Sequence, residues 1–111
     1  MAHDHDLAQR VRDLLADEPD VSEKLMFGGL AFLLAGHMAV TCTGRGGLMV
    51  RVAPQRGTEL AAAGTATQVE MHGRPMKGWL HIAGPELATD RELTRWVNYA
   101  REFARTLPAK A

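Results

Sequence analysis

The sequence predicts an α+β domain, a mainly antiparallel sheet of about five strands with the N- and C-terminal helices packed on it. Three observations carry this. Both ends of the chain place apolar residues at helical spacing. Between them lie apolar runs of about five residues bounded by glycine, the pattern of strands joined by hairpins. The chain is 111 residues long, which is room for one core, so residues 1–111 read as a single domain.

In chain order, residues 4–18 read as an amphipathic helix, with Leu7, Val11, Leu14 and Leu15 on one face. Asp4 or Asp6 caps its start, and residues 1–6 read as a frayed tail. Pro19 ends it, because proline cannot continue the hydrogen-bond ladder. Leu25–Phe27 precedes Gly28-Gly29, a bulge or tight bend. Strands follow over Leu30–Leu34, Met38–Cys42 and Leu48–Val52, joined at Ala35-Gly36-His37 and Thr43-Gly44-Arg45-Gly46-Gly47. In the third, Leu48, Val50 and Val52 alternate with Met49 and Arg51, so Arg51 takes the less buried face. Pro54 to Ala63 reads as a short helix with Gly64 as its C-cap. Thr67–Met71 and Gly78–Ile82 are two more strands around the loop 72–77. Thr89-Asp90-Arg91-Glu92 is a capping box. The helix it opens carries Leu93, Trp96, Val97, Ala100, Ala104 and Leu107 as one stripe, and Pro108 stops it.

Composition narrows the function. Lys plus Arg is 13 and Asp plus Glu is 13, a net charge of zero, which speaks against a general nucleic-acid binder. Hydrophobic residues at 46% exclude a disordered chain. The single cysteine, Cys42, excludes an internal disulfide and a multi-cysteine zinc site, and its apolar surroundings make it a small buried side chain. No run approaches the ~18 apolar residues of a membrane span. The acidic start Met1–Asp6 is no signal peptide, so the expectation is a soluble cytoplasmic protein without a membrane partner.

Catalytic chemistry finds no motif. His3-x-His5 sits at a chain end, and His37, His72 and His81 are scattered without metal-ligand spacing. Gly44-Arg45-Gly46-Gly47 is followed by a strand and not a helix, so it reads as a hairpin and not a phosphate cradle. Ser22 is the only serine and stands outside any nucleophile elbow. No catalytic, cofactor or metal residue is therefore expected. The segment 73–79 stands out instead, packing Arg74, Met76, Lys77 and Trp79 between glycines. It reads either as a partner contact, since Arg offers a fork of donors and Trp a rigid face, or as a β-connection capping the core. Arg91, Arg95, Arg101 and Arg105 fall at roughly 160°, 200°, 80° and 120° from Leu93 on the last helix, one arc opposite its apolar stripe. That arc reads as a solvated face or as a footprint for an acidic partner or nucleic acid. The zero net charge also has structure within it: residues 1–44 hold seven acids and three bases, net −4, and residues 45–111 hold ten bases and six acids, net +4.

Met26-Phe27-Gly28-Gly29, Gly36-x-Met38, Leu48-x-x-Arg51-Val52, Gly73-Arg74-x-Met76-x-Gly78-Trp79 and a Trp96-Val97 helix closing with Leu107-Pro108-x-Lys110 together resemble the TfoX N-terminal domain family over about residues 7–110. The resemblance implies a secretion-chaperone-like α+β fold in a stand-alone single-domain member. The best-known relatives, the TfoX or Sxy proteins, regulate natural competence with a catabolite-activator-type transcription factor and carry a second domain. The resemblance brings no catalytic or cofactor residue with it.

The expected function is thus a small non-enzymatic protein-interaction or transcription-regulatory accessory module with a protein partner, such as a transcription factor. Its expected contacts are Arg51, Arg74, Lys77, Trp79, Arg91, Arg95, Arg101 and Arg105. Two alternatives stand beside it: direct nucleic-acid binding, or a small-molecule binder or enzyme with a pocket near Arg51, Arg74 and His81. The opposed charges of the two ends also point to a homodimer.

Overall fold

Asp4 opens the first helix, its carboxylate accepting hydrogen bonds from the amides of Asp6 and Leu7 at 2.9 and 3.0 Å. The computed structural model describes residues 4–26 and 28–108. Helix α1 spans His5–Leu14, so residues expected in a frayed tail belong to the helix; it also ends before Asp17 and Glu18, which lie in the turn and bend that follow. Strands β1 (Val21–Met26), β2 (Gly29–Leu34), β3 (His37–Cys42) and β4 (Leu48–Arg51) lead to helix α2 (Pro54–Ala62). Strands β5 (Thr67–Met71) and β6 (Arg74–Ile82), a short 3-10 turn over Gly84–Leu87 and helix α3 (Asp90–Arg105) complete the fold.

The six strands form one antiparallel sheet in the order β1-β2-β3-β4-β6-β5. About five strands were expected; the additional one is β1. Its Val21-Ser22-Glu23-Lys24 stretch is largely exposed at the sheet edge and lacks the apolar run that marks an inner strand. Two-residue turns with both central residues at positive φ close the β2–β3 and β5–β6 hairpins, at Ala35-Gly36 (51° and 85°) and His72-Gly73 (54° and 76°). These are the turns whose twist matches that of the strands they join.

Register sorts the side chains between two faces. Leu30, Cys42, Leu48 and Ile82 are cross-strand neighbours in one row, and Phe32, Val40, Val50 and Leu80 in a second. All eight are buried. They pack with Leu7, Val11 and Leu15 at α1 and with Leu93, Trp96, Val97, Ala100 and Ala104 of α3, while Leu60 and Ala61 of α2 close the side. Burying each of the larger side chains contributes about 2 kcal/mol. Thr89 caps α3 as expected, its hydroxyl accepting from the Glu92 amide at 3.2 Å. Glu92 pairs with Arg95 at 3.1 Å. Cys42 belongs to this core, and burial pushes its thiol up to about 12, which leaves it protonated and unreactive.

Candidate functional site

Helices α1 and α3 are tied together by charge. The Arg101 Nη2 donates to the Leu14 carbonyl at 2.8 Å and its Nη1 lies 3.3 Å from Asp17, while Arg105 reaches Glu18 at 2.7 Å. Arg95 donates to the Tyr99 hydroxyl at 3.2 Å and stacks over Trp96. Arg51 stands over the rings of Trp79 and Phe103, at 5.6 and 5.4 Å. So five of the eight expected contact residues, Arg51, Trp79, Arg95, Arg101 and Arg105, are engaged within the molecule, and two acids of the first 44 residues, Asp17 and Glu18, meet bases of the last helix. Part of the charge asymmetry that pointed to a homodimer is thus met inside one chain, through Asp17–Arg101 and Glu18–Arg105.

Other cations have no such tie. Among the described residues, Lys24, Arg45, Arg74, Lys77 and Arg91 carry no ion pair or hydrogen bond. Arg91 is on α3. Lys24 sits opposite Ala31 in the sheet, Arg45 is in the β3–β4 turn, and Arg74 and Lys77 are on β6.

The sheet face away from the core rows forms a groove of about 310 Å³. Its apolar lining is Met26, Met38, Met49, Met71 and Met76 with Val69 and Trp79; Thr41, Thr43 and Arg45 stand towards one end and Glu70 towards the other. Every methionine in the described residues lines it. Methionine is flexible and polarizable, and such surfaces adapt to varied apolar partners. Gly29 lies in the wall, where a Cβ would collide with the Cys42 carbonyl.

Two irregularities put these side chains together. Met38 and Thr41 are an odd number of residues apart, as are Met76 and Trp79, so strict alternation would send each pair to opposite faces. On β3 the register against β2 shifts between Phe32↔Val40 and Leu33↔Met38, which leaves Ala39 as the extra residue. On β6, Gly78 adopts φ +87° and a Cβ there would stand 2.5 Å from the Val52 carbonyl. The Gly78 carbonyl in turn accepts from the Val52 amide at 2.7 Å. Each bulge adds a methionine to the open face, and bulges next to sites re-aim side chains in this way. At the groove floor the Thr41 hydroxyl is buried with no hydrogen-bond partner among the described residues. An unpaired buried hydroxyl is costly, which makes its position informative.

Arg51, Arg74 and His81, around which a pocket was expected, are not part of this groove. His81 instead lies against the β3–β4 turn, with Nε2 3.3 Å from the Gly46 carbonyl. His3 and Lys110 lie outside the described residues, as does Phe27. Among the described residues no three His, Cys, Asp or Glu side chains gather into a metal site, and no helix is long and apolar enough to cross a membrane. The methionines escaped motif reasoning, although six in 111 residues was a visible signal.

A family model for the TfoX N-terminal domain matches residues 13–104. The chain belongs to the TfoX N-terminal domain family. That match runs from within α1 to the last turn of α3, so the whole TfoX-type sheet and both bulges lie inside it. No curated protein and no solved structure matches the chain.

Proposed function

We propose that this TfoX-type domain is a non-enzymatic protein-interaction module of a regulatory, cytoplasmic kind, and that it meets its partner through the cationic β5–β6 hairpin and not through α3. One observation carries this reading: Arg74 and Lys77 are exposed and unpaired, while Arg95, Arg101 and Arg105 on α3 are committed to partners in their own chain. A cation already paired adds little to association, whereas an unpaired one steers an acidic partner and selects it. Family membership supports the regulatory sense, because the known regulators of this family work beside a transcription factor.

The test begins with a photoreactive amino acid at position 77 in the native cell. The captured protein is identified, purified and titrated against the domain. Arg74→Glu and Lys77→Glu are expected to weaken binding at least tenfold, with Arg91→Glu within twofold of the unaltered protein. Equal loss in all three variants, or no protein that binds in purified form, overturns the reading. Retention by fragments of DNA or RNA with a steep salt dependence would favour nucleic acid instead.

A further inference from the structure

The groove on the open face is a different matter from the hairpin surface, and its chemistry is more specific. We infer that it binds a single-chain anionic amphiphile, a monomeric medium-chain carboxylate, with the apolar chain lying on the methionines and Trp79 and the anionic head at the Thr41–Arg45 end.

Four observations meet in this assignment. The volume, about 310 Å³, is at the small end of ligand pockets and accommodates a chain of about ten carbons. The lining is thioether and indole, which favours a flexible alkyl chain over a rigid polar ligand. Thr41 lines the groove, and its hydroxyl is buried just beneath that surface without a partner, so a small shift of the side chain gives it a hydrogen bond to offer there. The charges are placed by sign along the groove. Arg45, unpaired, stands at the end where β3 and β4 turn, whereas Glu70 is on the edge strand β5 towards the other end. A guanidinium and an unused hydroxyl at residues of one groove suit a carboxylate head. The carboxylate at the other end repels one, which sets the direction of the chain. The two bulges that bring Met38 and Met76 to this face are the structural investment that makes the lining continuous.

Sodium decanoate is the probe, below its micelle concentration, with decanol and decyltrimethylammonium as the neutral and cationic counterparts. The domain carries ¹³C-labelled methionine methyl groups, and their NMR signals are followed through each titration. The expected result is saturable shifts of the groove methionines with decanoate, weaker binding of decanol and weakest of the cation. Arg45→Ala is expected to cost decanoate about tenfold and to leave decanol within twofold. Thr41→Val keeps the shape of the floor and is expected to weaken decanoate several-fold. Arg74→Glu and Lys77→Glu leave decanoate binding in place, so failure of the hairpin reading and failure of this one are separable. Unshifted methionines in the unaltered protein overturn the inference, as does equal affinity for all three probes. Co-sedimentation with phosphatidylglycerol vesicles in place of decanoate binding overturns it too, since it would make the face a membrane surface.

Discussion

Replacing Arg101 by alanine tests whether the arginines of α3 serve the fold or a partner. The Arg101 side chain is 12% exposed, and its Nη2 donates to the Leu14 carbonyl at 2.8 Å, where α1 ends. A hydrogen bond from a charged donor contributes about 1.5–3 kcal/mol. The pair with Asp17 adds little, about 0.5 kcal/mol or less, because Asp17 is 77% exposed and its attraction is screened by water. Against these stands the Arg101 Nε, buried without a partner, whose removal is favourable. The expected net loss is about 2 kcal/mol, or a fall in Tm of about 10 °C for a domain of this size. Arg91→Ala on the same helix removes no described contact and is expected to change stability by less than about 0.5 kcal/mol. Urea denaturation of both variants, with Asp17→Ala and the double variant to isolate the pair, measures each quantity. If Arg101→Ala unfolds within about 0.5 kcal/mol of the unaltered protein, or if its coupling to Asp17 accounts for the whole loss, the reasoning is wrong.

Further expectations follow from the same geometry. Gly78→Ala places a methyl group 2.5 Å from the Val52 carbonyl at a φ of +87°, and is expected to cost about 3 kcal/mol or more in Tm-derived stability. The Arg12 guanidinium holds the Glu23 carboxyl below its usual range, with contacts of 2.7 and 2.8 Å. A carboxyl depressed in the folded state stabilises it above the unfolded pKa of about 4.3 and stops doing so as pH falls through the folded value. Glu23→Gln is therefore expected to be less stable near neutrality and to converge on the unaltered protein in acid, by less than about 1 kcal/mol since both groups are partly exposed; a constant difference from pH 7 to 2 would contradict this. Cys42 is expected to react with a thiol reagent only at the rate of unfolding, and immediate reaction of the native protein would show that the core opens there.

Much of this fold was legible in the residues because its signals are local. The α3 stripe and the Thr89 cap depend on spacing within one helix, and the Ala35-Gly36 turn on two neighbouring residues. Strand β1 was not legible, since Ser22, Glu23 and Lys24 are held at the edge by pairing with β2 and not by burial. The groove was legible only in fragments. Met76 and Trp79 stood out by composition, but Met38 and Met76 reach the open face through register shifts, and register is set by the partner strand. Pairing of Arg101 and Arg105 with Asp17 and Glu18 spans more than 80 residues, beyond anything that a helical wheel displays.

The distribution of sulfur between the two faces has a chemical consequence. The core is assembled from branched aliphatic, alanine and aromatic side chains with one protonated thiol, whereas every described methionine is partly or fully exposed on the other side. Peroxide converts an accessible thioether to a polar, chiral sulfoxide. Oxidation of this protein is thus expected to alter the wetting of one face while the packing that stabilises the domain keeps its atoms, leaving a folded molecule with a changed surface that reductase treatment restores.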